Sequence, residues 1–181
     1  GAVEEDAVNM AISYYRAVGI KASYKYVDRS LFEEHLAANL TDASWWGGDR
    51  SILPLSDPAI FLGTNVYRPF VKAWSLWYQN PTNPVGEEPP EGHWYREILR
   101  LWGEVAAEPD PNRQNELFFQ LLDIWAEELP MVGYLGEFPA PVIVKNGLVN
   151  YKPGMAVDTQ IKSEHVLGTP TYYWEEPELH A

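Results

Sequence analysis

The chain contains no cysteine, which removes thiolate catalysis, cysteine-ligated zinc and disulfide cross-links from consideration. Basic residues are scarce: 13 Lys and Arg face 26 Asp and Glu, for a formal net charge of -13. No stretch is enriched in Lys or Arg. Nucleic-acid affinity comes largely from basic side chains that displace counterions from phosphates, so a nucleic-acid partner is excluded. Docking on an anionic lipid surface is disfavoured for the same reason. No apolar run approaches the ~20 residues of a transmembrane helix, and no signal peptide is visible, so an exported protein would carry its targeting segment upstream of Gly1. Catalytic signatures are missing too. There is no G-x-S-x-G, P-loop, HExxH or dinucleotide-binding glycine set. Gly133-Tyr-Leu-Gly136 is too sparse in glycine to cradle phosphate, and the histidines His35, His93, His165 and His180 stand too far apart for a metal set.

What the chain does have is aromatic and proline residues, with 8 Trp, 11 Tyr and 15 Pro among 181 residues. Such a length supports a domain with a sizeable core. So many aromatics imply a large aromatic core or a stacking surface for a ligand, and so much proline implies long, ordered loops.

The periodicity alternates between helix and strand. Glu4 to Val18 reads as a helix, with Val8, Ala11, Ile12 and Tyr15 forming one stripe and Gly19 as its stop. Ile20 to Val27 switches to period two, placing Ile20, Ala22, Tyr24 and Tyr26 opposite Lys21, Ser23 and Lys25, the pattern of a half-buried strand. Ser30 and Glu33 form a capping-box pattern that opens a second helix to about Asn39, and Ala43 to Trp46 reads as a second strand. A Pro-rich insertion over about 48–90 follows, interrupted by a helix at about Arg68 to Tyr78. Two strong helices come next, about Glu91 to Ala107 and then from Asp110-Pro111, as N-cap and N1, to about Leu129. Met131 to Leu135 and Val142 to Val144 read as strands, and a Gly/Pro-broken tail ends in Tyr172-Tyr173-Trp174. The rhythm is that of an α/β fold with a small mixed sheet flanked by helices. No strand precedes the first helix, so the expectation is that the sequence starts inside a larger domain.

The most informative chemistry lies in Trp45-Trp46-Gly-Gly-Asp49, at the expected C-terminal end of a strand, where open α/β sheets bind ligands. Indole offers a flat apolar face to a sugar ring or peptide side chain, and an acid beside it accepts hydrogen bonds from hydroxyls or an amino terminus. Trp74 and Trp77 share a helical face and supply further stacking candidates. Paired carboxylates open a glycosidase alternative, through Asp49 with Asp57 in one loop, or Glu87 with Glu88 in a Pro-flanked linker.

Tyr15-Arg-Ala-Val-Gly-Ile-Lys21, Val27-Asp-Arg-Ser-Leu-Phe32, Leu36-Ala-Ala-Asn39 and Trp45-Trp46-Gly-Gly together resemble the C-terminal region of the family 5 extracellular solute-binding proteins. The likeness continues through Gly86-Glu-Glu-Pro-Pro90, the Asp110-Pro111 helix, Pro141-Val-Ile-Val-Lys-Asn146 and the aromatic ending. It implies a periplasmic or extracellular receptor of two lobes that closes on an oligosaccharide or oligopeptide and delivers it to the permease subunits of an ABC importer. Cofactors and catalysis have no part in this. The resemblance also implies a first lobe upstream, through whose N-terminus a membrane anchor would attach. Residues 1–145 would form the second lobe, and 146–181 the segment that returns to the first. An Asp after the Trp-Gly strand pairs with the ligand in peptide-binding members. Here the run from Asp49 to Asp57 is longer than the family's, so either one stands in that place. The expected ligand-binding set is therefore Trp45, Trp46, Asp49, Asp57, Trp74 and Trp77, with weak binding by the lobe alone. A carbohydrate-acting enzyme and a protein-interaction module are the alternatives.

Overall fold

A computed structural model describes residues 2–47, 51–65, 67, 69–133, 136, 143–152, 154 and 169–179. The chain divides into two compact units, Gly1–Trp46 with Gly63–Pro90, and Gly47–Leu62 with Glu91–Ala181. Helices dominate, and the described strands form one two-stranded antiparallel sheet.

In the first unit, α1 (Ala2–Ala17) buries Ala11 and half-buries Val8 and Ile12 of the predicted stripe, whereas its fourth member, Tyr15, is exposed. It stops at Gly19, whose φ of +87° is open to glycine at little cost. Helix α2 (Arg29–Ala37) starts one residue before the expected Ser30. Its N-cap is Asp28, whose carboxylate accepts the Leu31 N–H at 3.0 Å, so Ser30 lies inside the first turn and the capping-box reading is corrected. Asp and Ser cap about equally well, and the residue with extended backbone takes the role. Helix α3 (Lys72–Gln79) is shorter than the predicted 68–78 span at its start, and its Ser75 is fully buried with the hydroxyl donating to the Lys72 carbonyl at 3.0 Å.

Neither Ile20–Val27 nor Ala43–Trp46 is a strand. Period-two alternation becomes a ladder only beside a partner, and neither segment has one among the described residues. Residues 131–133 and 143–144 also lie outside any strand, and the rest of those two expected strands falls outside the described residues. The ladder that does form pairs β1 (Leu148–Val149) with β2 (Tyr173–Trp174), Leu148 opposite Trp174 and Val149 opposite Tyr173. It lies in the tail that the sequence presents as Gly/Pro-broken.

The second unit is built on α4 (Trp94–Ala107) and α5 (Pro111–Glu128), which pack against each other. The His93 ring caps α4 by accepting the Tyr95 N–H, and Asp110 caps α5 by accepting the Asn112 N–H at 3.0 Å, with Pro111 at N1 as expected. The core holds Tyr95, Ile98, Leu101 and Val105 of α4 against Leu117, Phe118 and Leu121 of α5. Trp94 and Trp102, expected on the core face, are only half-buried, and Tyr95 takes the interior place. The end of the 51–62 stretch is tied to this pair of helices. The Tyr95 hydroxyl donates to the Leu62 carbonyl at 2.8 Å and the Trp125 indole N–H donates to the Phe61 carbonyl at 2.9 Å. The Phe61 ring meets Phe118 edge-on at 5.3 Å.

Candidate ligand-binding surface

Helix α2 spaces Arg29, Phe32 and Glu33 at i, i+3 and i+4, which places them on one face. Trp46 comes back onto that face. Its ring lies 4.9 Å from Phe32 at an interplanar angle of 12°, and 5.2 Å from Tyr67 at 13°. Such near-parallel contacts add to the burial energy of each ring. Tyr67 is set in place by Asn65, a buried residue whose side-chain oxygen accepts the Tyr67 N–H at 3.0 Å. The Arg29 guanidinium lies 4.9 Å from the centre of the Tyr67 ring and 6.0 Å from that of Trp46, distances at which the ring quadrupole attracts a cation. Arg29 donates to Glu33 at 2.7 Å and to the Tyr67 hydroxyl at 2.6 Å. These bonds, Glu33 first and Tyr67 second, raise the already high pKa of Arg29, so its charge is permanent. Because the Tyr67 oxygen accepts from Arg29, its own proton remains a donor.

Trp45 and Trp46 are 37% and 38% exposed. Trp74 and Trp77 are half-buried on α3 of the same unit. The chain passes close over Trp77: a Cβ on Gly86 would meet the Trp77 backbone nitrogen at 2.9 Å. Asp57 belongs to the other unit, where its carboxylate accepts the Ala59 N–H at 3.3 Å and closes a turn, a role typical of Asp in loops. Asp49 lies outside the described residues. Glu87 and Glu88 are exposed, as a solvated linker predicts.

The tryptophan pair was legible from the sequence, and its supports were not. Phe32 counted as one member of the α2 stripe. Arg29 and Tyr67 are 38 residues apart and carry no periodic signal that joins them. The surface offers indole edges, a phenol donor and a guanidinium already neutralised by a carboxylate. Among the described residues no group of three or more His, Asp or Glu stands ready for a metal ion, and no helix is long and apolar enough to cross a membrane.

In comparisons with known proteins, no family model matches the chain, and neither does any curated protein or solved structure.

Proposed function

We propose that this chain is the second lobe of an extracytoplasmic solute-binding protein serving an ABC importer. It captures an oligosaccharide or oligopeptide without altering it. The observation that carries the reading is the pair of exposed indoles, Trp45 and Trp46, with Trp46 buttressed by Phe32, Tyr67 and Arg29. Aromatic side chains held by packing and hydrogen bonds give up little entropy when a ligand packs against their exposed edges, which is how a binding surface gains affinity by preorganisation. Partners of this kind of protein are the solute, the permease subunits and the first lobe of the same receptor. A single lobe offers one side of the cleft, so the affinity of this chain alone is expected near the millimolar range, about −4 kcal/mol.

The test is a titration with oligosaccharides and oligopeptides followed by the indole N–H resonances. Resonances assigned to Trp45 or Trp46 through single Trp→Phe variants are expected to move with one of the two ligand classes. Indoles that respond to neither class would overturn the reading. Cleavage of the added oligosaccharide would instead identify an enzyme.

A further inference from the structure

Asn146 is the one asparagine of the chain that is followed by glycine. It is exposed, and it shares with Gly147 the turn that feeds β1. The Leu148 N–H closes that turn on the Lys145 carbonyl at 3.3 Å, beyond the usual hydrogen-bond range. Gly147 holds φ at +86°, in the third place of the turn, where glycine is called for. Neither the Asn146 side chain nor the Gly147 N–H makes a hydrogen bond among the described residues. The other asparagines stand differently. Asn80 and Asn83 precede proline, which has no N–H. Asn9, Asn112 and Asn115 lie within helices, and Asn65 is buried. The Leu40 N–H that follows Asn39 donates to the His35 carbonyl at 2.9 Å, and the Asn150 side chain donates to the Thr171 carbonyl at 2.9 Å.

We propose that Asn146 is a self-modification site, which converts to isoaspartate and aspartate and thereby loosens the β1–β2 ladder. The Gly147 nitrogen gives up its proton to solvent base and bonds to the side-chain carbonyl carbon of Asn146. The bond from that carbon to the amide nitrogen breaks, the nitrogen takes up a proton and leaves as ammonia, and a succinimide ring remains. Water, the only co-reactant, then opens the ring. Opening at the main-chain carbonyl leaves isoaspartate, with the peptide running through the side chain, and opening at the other carbonyl leaves aspartate. Glycine favours the closure because no β-carbon crowds the attacking nitrogen. The turn must open for that nitrogen to reach the carbon, and a ladder of two residues per strand opens cheaply. The product acts on its neighbours. Isoaspartate lengthens the main chain just before Gly147, whose carbonyl accepts the Glu175 N–H at 2.9 Å, and β1 starts at the next residue. The register that sets Leu148 opposite Trp174 is thereby displaced. The inference stands independently of the solute-binding reading.

Incubation of the chain in mildly alkaline buffer, followed by mass spectrometry of proteolytic peptides that cover residues 146–150, tests it. Asn146 is expected to convert at least about tenfold faster than Asn150 in the same peptides, with isoaspartate among the products. Gly147→Ala should slow the conversion, and Asn146→Gln, which keeps the glycine of the turn, should leave position 146 unconverted over the same period. In hydrogen exchange, the Glu175 amide is expected to lose protection in the isoaspartyl chain. It should keep its protection in Asn146→Asp, which gains the same charge without lengthening the main chain. Equal rates at Asn146 and Asn150, a rate untouched by Gly147→Ala, or an isoaspartyl chain whose Glu175 amide stays protected would overturn the proposal.

Discussion

Tyr95→Phe removes a single oxygen from the interior of the α4–α5 unit. Tyr95 is 0% exposed, and its hydroxyl donates at 2.8 Å to the carbonyl of the buried residue Leu62. The ring remains, so the apolar packing is conserved. What changes is the Leu62 carbonyl, which stays buried and loses its donor. A typical hydrogen bond contributes about 1 kcal/mol net, whereas an orphaned buried acceptor costs about 1–3 kcal/mol. The vacated space is that of one hydroxyl oxygen, too small to admit a water that could replace the donor. A loss of about 2 kcal/mol is therefore expected. With a urea m-value of about 2 kcal/mol/M, the midpoint falls by about 1 M, readable in the fluorescence of the chain's 8 tryptophans. Trp125→Phe removes the donor to the adjacent Phe61 carbonyl, and the double variant should lose less than the two single losses combined, because both bonds hold the same two residues in place. A midpoint unchanged by Tyr95→Phe, or additive losses in the double variant, would refute the view that these bonds fasten the 61–62 segment to the helices.

Asp28→Ala should cost about 1 kcal/mol, whereas Ser30→Ala should be nearly silent; thermal denaturation of the pair separates the observed N-cap from the capping box the sequence suggests. Gly86→Ala places a methyl group 2.9 Å from the Trp77 backbone nitrogen, which a main chain held by α3 cannot avoid, and a loss of about 1–3 kcal/mol is expected in the same assay. Burial lowers the pKa of Lys72 below its ordinary 10.5. The folded state therefore gives up this proton before the unfolded state does. Stability rises with pH as the solution passes from the folded pKa towards 10.5, and the penalty is full below the folded value. Lys72→Met should remove that alkaline gain in a comparison of unfolding midpoints at neutral and alkaline pH, and should not destabilise the protein near pH 7.

Where the signal was local, the sequence was legible. Asp110-Pro111 marks the start of α5 because a cap side chain and a missing N–H act within one turn, and Gly19 ends α1 for similarly local reasons. Period-two alternation at residues 20–27 misled because it reports a face for burial and says nothing of whether a partner strand is present. The β1–β2 pairing escaped notice because two residues per strand are too few to show a period, and Leu148 and Trp174 are joined only by the chain's return. The candidate site followed the same rule. Trp45 and Trp46 stand out in the sequence, but their joint exposure does not follow from the strand expected there, and the hydrogen bond from Arg29 to Tyr67 depends on tertiary structure alone.

The charge balance of the Trp46 surface bears on which ligand class the proposed receptor holds. Arg29 stands beside the stack, and Glu33 engages it at 2.7 Å, so the two together present little net charge. A peptide ligand requires a carboxylate to receive its amino terminus. The Glu33 carboxylate beside the stack is engaged by Arg29. What the surface does offer is aromatic rings and the Tyr67 hydroxyl, whose proton is directed away from Arg29 by the bond it accepts. A hydroxyl donor beside a charge-balanced ion pair suits the hydroxyl oxygens of an uncharged oligosaccharide better than a charged peptide terminus. Of the two solutes proposed, the Tyr67 hydroxyl and the charge-balanced Arg29–Glu33 pair fit the oligosaccharide.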